Sequence, residues 1–509
     1  LLGLKAVAQL NTTLDVLFGT SAGQTAQLRQ AVSTSGLTSA LTTFDANFAY
    51  TLPTSSTVYT ELASGARWTQ DQLTYIVSNN ADNSGAAPPI DSLPLNISGR
   101  QVMLYAPRGN IGNLAQPTTF SFTSDGSQPL NTTQKALMAA AGPGQLAVTS
   151  TTVNGVTRYD VSIAQRSLVM VSPLGTVSAK ALSQIYLGSA SDMLLGGIPA
   201  SIYGPIQAAY SAGIQTINPG EVLLQAVQSI KGGVPGQVAI SGPISALTLI
   251  SDKGSIGTPD PDSAKDPKDS DYALIVQLTN NGLPVAKIDQ AQALHGIYIR
   301  QKTGDLMLGN INAGSAADSA LQLAATGSIY ALPQFTDRTA VHLSATTLDL
   351  RAGGDVGFNG ATFQPLQVKI SGAVTGYAGG KFSLISPSAS MTVGGAGTFG
   401  TLSSLGTMSL QVDAGDLTVN ANVTGGVLQI NVNNAVVFAA GTAGSPIVAR
   451  STAGDVTLSA STLSMGAFSE IDATGVITVS TTGDATIGRL WSTASFGSSG
   501  TAITVAAGG

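Results

Sequence analysis

One short phrase keeps returning along this chain: alternating apolar residues, a glycine-containing turn, then another apolar pair. It appears as Val102-Met-Leu-Tyr-Ala-Pro-Arg-Gly-Asn-Ile-Gly112 and again as Leu247-Thr-Leu-Ile-Ser-Asp-Lys-Gly-Ser-Ile-Gly257, aligned without a gap from Leu104 and from Leu249. A second phrase pairs Asp192-Met-Leu-Leu-Gly196 with Asp305-Leu-Met-Leu-Gly309, and a third pairs Val222–Ile230 with Leu321–Ile329. The three come in the same order both times. Residues from about 98 to 232 and from about 241 to 332 therefore read as two degenerate copies of a larger unit. From 341 onward the pattern tightens into period-two segments, such as Leu410–Val412, Leu417–Val423, Val456–Leu458 and Val476–Val479, bounded by Gly-Asp turns at 354, 415, 454 and 483. Alternation of that kind between turn residues is the signal of half-buried strands.

Composition narrows what the strands can build. Only 10% of the 509 residues are charged, against about 25% in an ordinary soluble protein, and aromatics are 5%. Glu occurs three times, at Glu61, Glu221 and Glu470, so almost every acid is Asp, the turn-former of the pair. A propeller would carry an aromatic signature in each blade, and a chain of β-sandwiches would need linkers that the C-terminal half lacks. The sequence instead predicts an all-β, right-handed parallel β-helix with a few short helical and loop insertions. Small aliphatic residues would fill its interior, and Ser, Thr and Asn would line its outside. At about 20–25 residues per coil and about 4.8 Å per stacked strand, the rod would be on the order of 100 Å long. Three parts are expected: mixed coils with helical insertions over 1–97, the duplicated β-helix over 98–340, and more regular coils over 341–509 that continue into a longer parent protein. Helices are expected at 69–78 after Trp68, at 131–141 behind an Asn131…Gln134 capping box, and within 22–48.

Several functions fall away. A net charge of −6 with no basic run gives no handle for nucleic acid. Without Cys there are no disulfides and no thiolate metal sites. No apolar run approaches the length of a membrane-spanning helix.

The string Trp68-Thr-Gln-Asp-Gln-Leu73, then Leu95-Asn-Ile-Ser-Gly99, the first phrase at 102–112, the Ala-rich 136–141 and Ile185–Gly196 together resemble the large filamentous-haemagglutinin-like adhesins. The resemblance covers roughly residues 60–490, and its order and duplication are more specific than any single phrase. It implies a shaft segment of an exoprotein exported through an outer-membrane transporter of the two-partner type and displayed on, or secreted from, a Gram-negative cell. The receptor or glycan it meets is open, and self-association into filaments is a further expectation. The secretion domain that opens such proteins is not visible, so the export route rests on the resemblance alone.

The same rod can also carry a polysaccharide lyase or glycoside hydrolase, which would need paired carboxylates, or Asp-held calcium with an Arg or Lys base. The densest acids are Asp260, Asp262, Asp266, Asp269 and Asp271. Five Asp in twelve residues supply the oxygens Ca²⁺ takes, but the spacing is not that of an EF-hand, and the interleaved prolines and lysines read as a solvated insertion. His295 precedes a strand; His342 alternates with Val341 and Leu343 and is expected to face solvent. Arg300 and Arg351 would suit a lyase, with nothing evident to pair them. No catalytic residue and no cofactor site is assigned. Tyr59, Trp68 and Tyr75, with Tyr50, are aromatic candidates for glycan contact, set against a plain packing role. Asn-x-Ser/Thr sites stand at Asn11, Asn96, Asn131 and Asn422. Ligand-bearing loops are expected at 1–97, 113–160, 200–220 and 258–290.

Overall fold

The computed structural model describes the backbone of 57–61, and residues 96–494 and 502–508 except for 100, 124–126, 129–130, 132–133, 135–145, 154–155, 174, 197–212, 260–272, 334–340 and 395–399. What it describes is almost entirely strand, arranged in long parallel sheets: a parallel β-helix. The chain divides into two compact units, Leu1–Gln228 and Ser229–Gly509.

The second unit shows most plainly why this sequence coils. Each turn of the solenoid lays down strands whose odd and even residues face opposite ways, so one set points inward and the other outward. In Ser469–Ala473 the serine, isoleucine and alanine are buried while Glu470 and Asp472 are not. Parallel pairing then sets like positions on top of one another. One inner column runs Leu274, Ile299, Leu323, Leu350, Gly376, Leu402, Val423, Ala449, Ile471, Leu490, each paired with the next. On another face Leu366, Leu384, Leu410, Ile430, Leu458, Val479 and Val505 form a second column. Almost all these aliphatic side chains are fully buried. Removing a Leu or Ile side chain from water stabilises by about 1.5–3 kcal/mol, and here the contribution repeats coil by coil. A corner needs less volume. There the column is Gln301, Ala325, Ala352, Ala378 and Ser404, then Gly425, Ser451, Ala473 and Ser492.

A ladder of glycines marks where the chain bends. Each amide N–H donates to the carbonyl one coil earlier: Gly327 to Gly304, Gly354 to Gly327, Gly380 to Gly354, Gly406 to Gly380, Gly426 to Gly406. Successive members stand 20 to 27 residues apart, which is the length of a coil. This ladder also explains the uneven spacing of the Gly-Asp marks. Those at 354 and 454 belong to it, and Gly475 donates to Gly454. That at 415 lies on a different corner with Asn434, Ser461 and Gly483, since Asp416 Oδ1 accepts the Ala435 N–H, Ser461 donates to Asn434 and Gly483 to Ser461. Two interleaved columns, each with its own coil-length step, produce one irregular series in the sequence.

In the first unit, Gln101–Ala106 pairs in parallel with Thr57–Glu61 on one side and with Thr176–Ala181 on the other. Ile97–Gly99, Val169–Pro173, Ile185–Ser189 and Gly220–Ala226 stack as a second sheet. After Gly112 the path leaves the coil as Asn113–Thr123, Leu146–Val153 and Val156–Ser167, an antiparallel three-stranded sheet, and returns at Val169. The duplicated first phrase makes the same local turn in both units. Ile111 and Ile256 are fully buried, and Gly112 and Gly257 follow in the left-handed region at φ +77° and +73°. At Gly257 a side chain would also run into the Tyr298 carbonyl, so glycine is required twice over.

Of the expected helices, 22–48, 69–78 and the body of 131–141 lie outside the described residues. The capping box that opens the last is present: Gln134 N–H donates to Asn131 Oδ1 at 2.8 Å, and Asn131 N–H donates to Gln134 Oε1 at 3.0 Å. Among the segments expected to interrupt the coils, 113–160 does so. Of the ranges 200–220 and 258–290, residues 200–212 and 260–272 lie outside the described residues, and the described remainder includes the coil strands Ile214–Thr216, Leu274–Leu278 and Val285–Gln292.

Candidate functional site

The chemistry that recurs along the coils is a brace. The carboxylate of a turn aspartate accepts a backbone N–H from the following coil. Asp305 Oδ1 takes Ser328 N–H at 2.7 Å, Asp355 Oδ1 takes Lys381 N–H at 2.6 Å, Asp416 Oδ1 takes Ala435 N–H at 3.1 Å, and Asp455 Oδ1 takes Val476 N–H at 2.7 Å. In three of the four, the residue before that N–H is a glycine, at 327, 380 and 475. A Cβ on it would sit far inside contact distance of the aspartate oxygen. The Asp of one coil and the Gly of the next are thus a matched pair. This is why the turns are Asp-rich: Glu, one methylene longer, would overshoot the same N–H. Asn does the same work. Asn96 Oδ1 accepts Met170 N–H at 2.7 Å and Asn422 Oδ1 accepts Val448 N–H at 2.9 Å. The side-chain oxygens of Asn96, Asn131 and Asn422, three of the four Asn-x-Ser/Thr asparagines, are therefore engaged within the fold; Asn11 lies outside the described residues.

The other sequence candidates separate. Asp260, Asp262, Asp266, Asp269 and Asp271 lie outside the described residues, as do Tyr50, Trp68 and Tyr75. Tyr59 is described by its backbone alone, paired with Met103. Among the described residues no group of three or more His, Asp or Glu is placed to hold a metal ion. His342 corrects the expectation of a solvent-facing ring: it is 1% exposed. The strand begins only at Leu343, so period-two alternation does not extend back to His342, and its carbonyl accepts the Ile311 N–H. Arg351 is corrected too, because it has a partner. Its Nε donates to Asp349 Oδ2 at 2.8 Å, two residues away on the same outward face, and Thr375 Oγ1 donates to the other Asp349 oxygen at 3.3 Å. Arg300 stands two coils before Arg351 in that column, across Ala324. His295 Nδ1 lies 3.0 Å from Asp318 Oδ1, an exposed pair whose hydrogen bond holds the Asp318 carboxyl below its usual range. Burial, and after it the nearby Asp305 carboxylate, pushes the Tyr330 phenol up to about 12.

Two insertions give the surface relief. On the antiparallel sheet, Ser121, Arg158 and Asp160 form one polar cluster. Asp160 accepts from Ser121 Oγ at 2.7 Å and from Arg158 Nε at 2.8 Å, and these bonds hold its carboxyl below the ordinary range. The alternate residues Phe122 and Tyr159 stack at 4.8 Å. In the second unit a two-residue turn at Gly360-Ala361 lifts the hairpin Phe358–Asn359/Thr362–Phe363, with ring centroids 5.2 Å apart and Lys381 Nζ 5.0 Å from the Phe358 centroid.

Sequence reading missed one grouping. On the outward face of Ile447–Ser451, Ser469–Ala473 and Arg489–Ser492, Arg450 pairs with Asp472 at 2.9 Å and Arg489 with Glu470 at 2.9 Å; Trp491 follows Asp472 one coil on. The separations are a coil length each, 22 residues and 19, so phasing the coils would have brought the charges together. Comparison with protein-family models finds no match, and comparisons with curated proteins and with solved structures find none either.

Proposed function

We propose that this chain is a structural shaft segment of a large secreted or cell-surface β-helical adhesin or filament protein. The observation that carries the reading is the inner column from Leu274 to Leu490, ten coils in uninterrupted parallel register. Such a stack gains stability from nearest neighbours and lengthens without redesign, which suits a spacer. The Asp–Gly braces support the same reading, since they add a side-chain tie between successive coils to the backbone ladder at the turns. Export through an outer-membrane transporter of the two-partner type and display on a Gram-negative surface complete the proposal; they rest on the resemblance of the sequence phrases. Negative-stain electron microscopy of the purified chain tests it. Stiff rods of uniform width are expected, and compact or beaded particles would overturn it. Continuous filaments would add self-association to the role.

The second reading is a carbohydrate-active enzyme. What favours it is the outward carboxylate pair Glu470 and Asp472 on one strand. Each carboxylate accepts from an arginine, an arrangement suited to holding a ligand rather than to donating a proton. Release of reducing sugar from a polysaccharide, abolished by Glu470→Gln, would decide for the enzyme.

A further inference from the structure

We propose that the outward face formed by Arg450, Glu470, Asp472, Arg489 and Trp491 is a binding site for a neutral glycan chain. Chemistry-bearing residues are scarce in this protein, and here they converge. The sequence has two Trp and three Glu, and one of each lies in this patch, together with two Arg and an Asp, in three consecutive coils. Register makes the patch. Arg450 sits beside Asp472, Asp472 beside Trp491, and Glu470 beside Arg489, with Ile471 of the inner column between Glu470 and Asp472 in sequence and Leu490 between Arg489 and Trp491. The outward residues therefore form a grid about 4.8 Å from coil to coil and about 7 Å along a strand.

Its groups are those a sugar ring uses. Trp491 is 51% exposed, with the Arg489 guanidinium 5.0 Å from its ring centroid. An open indole offers a flat apolar platform for the C–H face of a pyranose, with a polar edge beside it. Each ion pair presents a carboxylate acceptor next to guanidinium donors, the combination that two neighbouring hydroxyls satisfy together. The Arg450 and Arg489 side chains are 50% and 55% exposed, so their remaining N–H groups face solvent. Two positive and two negative groups leave the patch neutral, which selects an uncharged glycan over a polyanion. Two coil spacings, about 10 Å, are long enough for two linked rings. Trp and Arg are also the residues that most often dominate a binding face. The site goes beyond the shaft reading and does not depend on it: a rod seen by microscopy could lack this ligand, and a ligand could bind a chain that forms no rod.

The test uses the full 509-residue chain carrying Trp68→Phe, which leaves Trp491 as the sole indole reporter. Maltohexaose, cellohexaose and hexagalacturonate are titrated, following tryptophan emission and binding heat. A saturable emission change with at least one of the neutral hexasaccharides is expected. By calorimetry, Trp491→Ala lowers affinity at least tenfold, and Glu470→Gln with Asp472→Asn lowers it at least fivefold. Trp491→Phe, which keeps an aromatic platform and guards against a folding defect, retains binding within a few fold. The proposal is overturned if neither neutral hexasaccharide binds, if Trp491→Ala binds as well as its parent, or if hexagalacturonate alone binds.

Discussion

Gly380 isolates the Asp–Gly brace from every other contribution. Its φ is not in the left-handed region, so alanine is conformationally acceptable there. The atoms a Cβ would strike belong to the Asp355 carboxylate; the nearest backbone atom, the Gly354 carbonyl carbon, is at an ordinary 3.5 Å. Gly380→Ala therefore expels the carboxylate and breaks its 2.6 Å bond with Lys381 N–H. A hydrogen bond to a charged group contributes about 1.5–3 kcal/mol, and the reduced freedom of the unfolded chain returns about 0.4–1 kcal/mol. The net loss is about 0.5–2.6 kcal/mol. Asp355→Ala removes the same bond and costs about 1.5–3 kcal/mol. In that background Gly380→Ala has no bond left to break and no oxygen to strike, so its effect falls to zero or becomes slightly stabilising through the unfolded-state term. The double-mutant cycle should thus show a coupling of about 1.5–3 kcal/mol. Because a long solenoid need not unfold in one step, the measurement is native-state hydrogen exchange at Lys381 and its neighbours in adjacent coils. Additive single effects would refute the matched-pair reasoning, as would a Gly380→Ala chain whose Lys381 amide is protected as in the parent.

Two further outcomes follow from the geometry. Gly257→Ala should cost about 2–4 kcal/mol, from left-handed strain and a backbone collision, whereas Gly444→Ala, with φ outside that region and nothing within 4 Å, should be neutral or gain about 0.4–1 kcal/mol; denaturant midpoints of the two variants check the contrast. For the exposed His295–Asp318 pair, the hydrogen bond lowers the folded-state pKa of Asp318. Its contribution to stability is then present above the ordinary carboxylate range and is lost as pH falls through the lowered value; His295→Ala should move the Asp318 midpoint upward in a carboxyl NMR titration, and an unmoved midpoint would show that the bond is not formed in solution.

The coil was legible because the constraint that builds it is local and repeated. Away from the corners an inward residue is aliphatic in almost every coil, so Leu348 over Val374 or Leu410 over Ile430 leaves the alternation that sequence reading detects. The antiparallel sheet at 113–167 was harder to see. Its strands Asn113–Thr123 and Leu146–Val153 hold their apolar residues at no steady period, since Leu114-Ala115 and Leu146-Ala147-Val148 are consecutive and only Phe120 and Phe122 alternate, so no two-residue pattern announces the pairing. His342 was misplaced for a related reason: alternation is a property of a residue in a ladder, and the ladder there starts one residue later.

The outward grid was illegible for a different reason, and that reason also says where function on a solenoid must be sought. Residues 450, 470, 472, 489 and 491 share no motif, and no window of a few residues contains them. What relates them is the register between coils, and coil steps that run from 19 to 28 residues do not repeat at a fixed interval. A varying coil length leaves the inner columns intact, because any aliphatic residue serves as a rung. On the outside it changes which residues become neighbours. A one-residue change at Ile487-Gly488, beyond the last brace, would carry Arg489 and Trp491 to a new position relative to Glu470 and Asp472, or turn them inward. Insertions between Thr486 and Arg489 leave the Asp455–Gly475 brace and the column through Val479 in place, and should therefore move the patch at little cost to the preceding coils. A single-residue insertion there that preserves thermal stability yet abolishes the Arg489–Glu470 pair in a structure of the variant would separate the two layers of specification. If the insertion destroyed the stack along with the pair, inner and outer registers would have to be set by the same contacts.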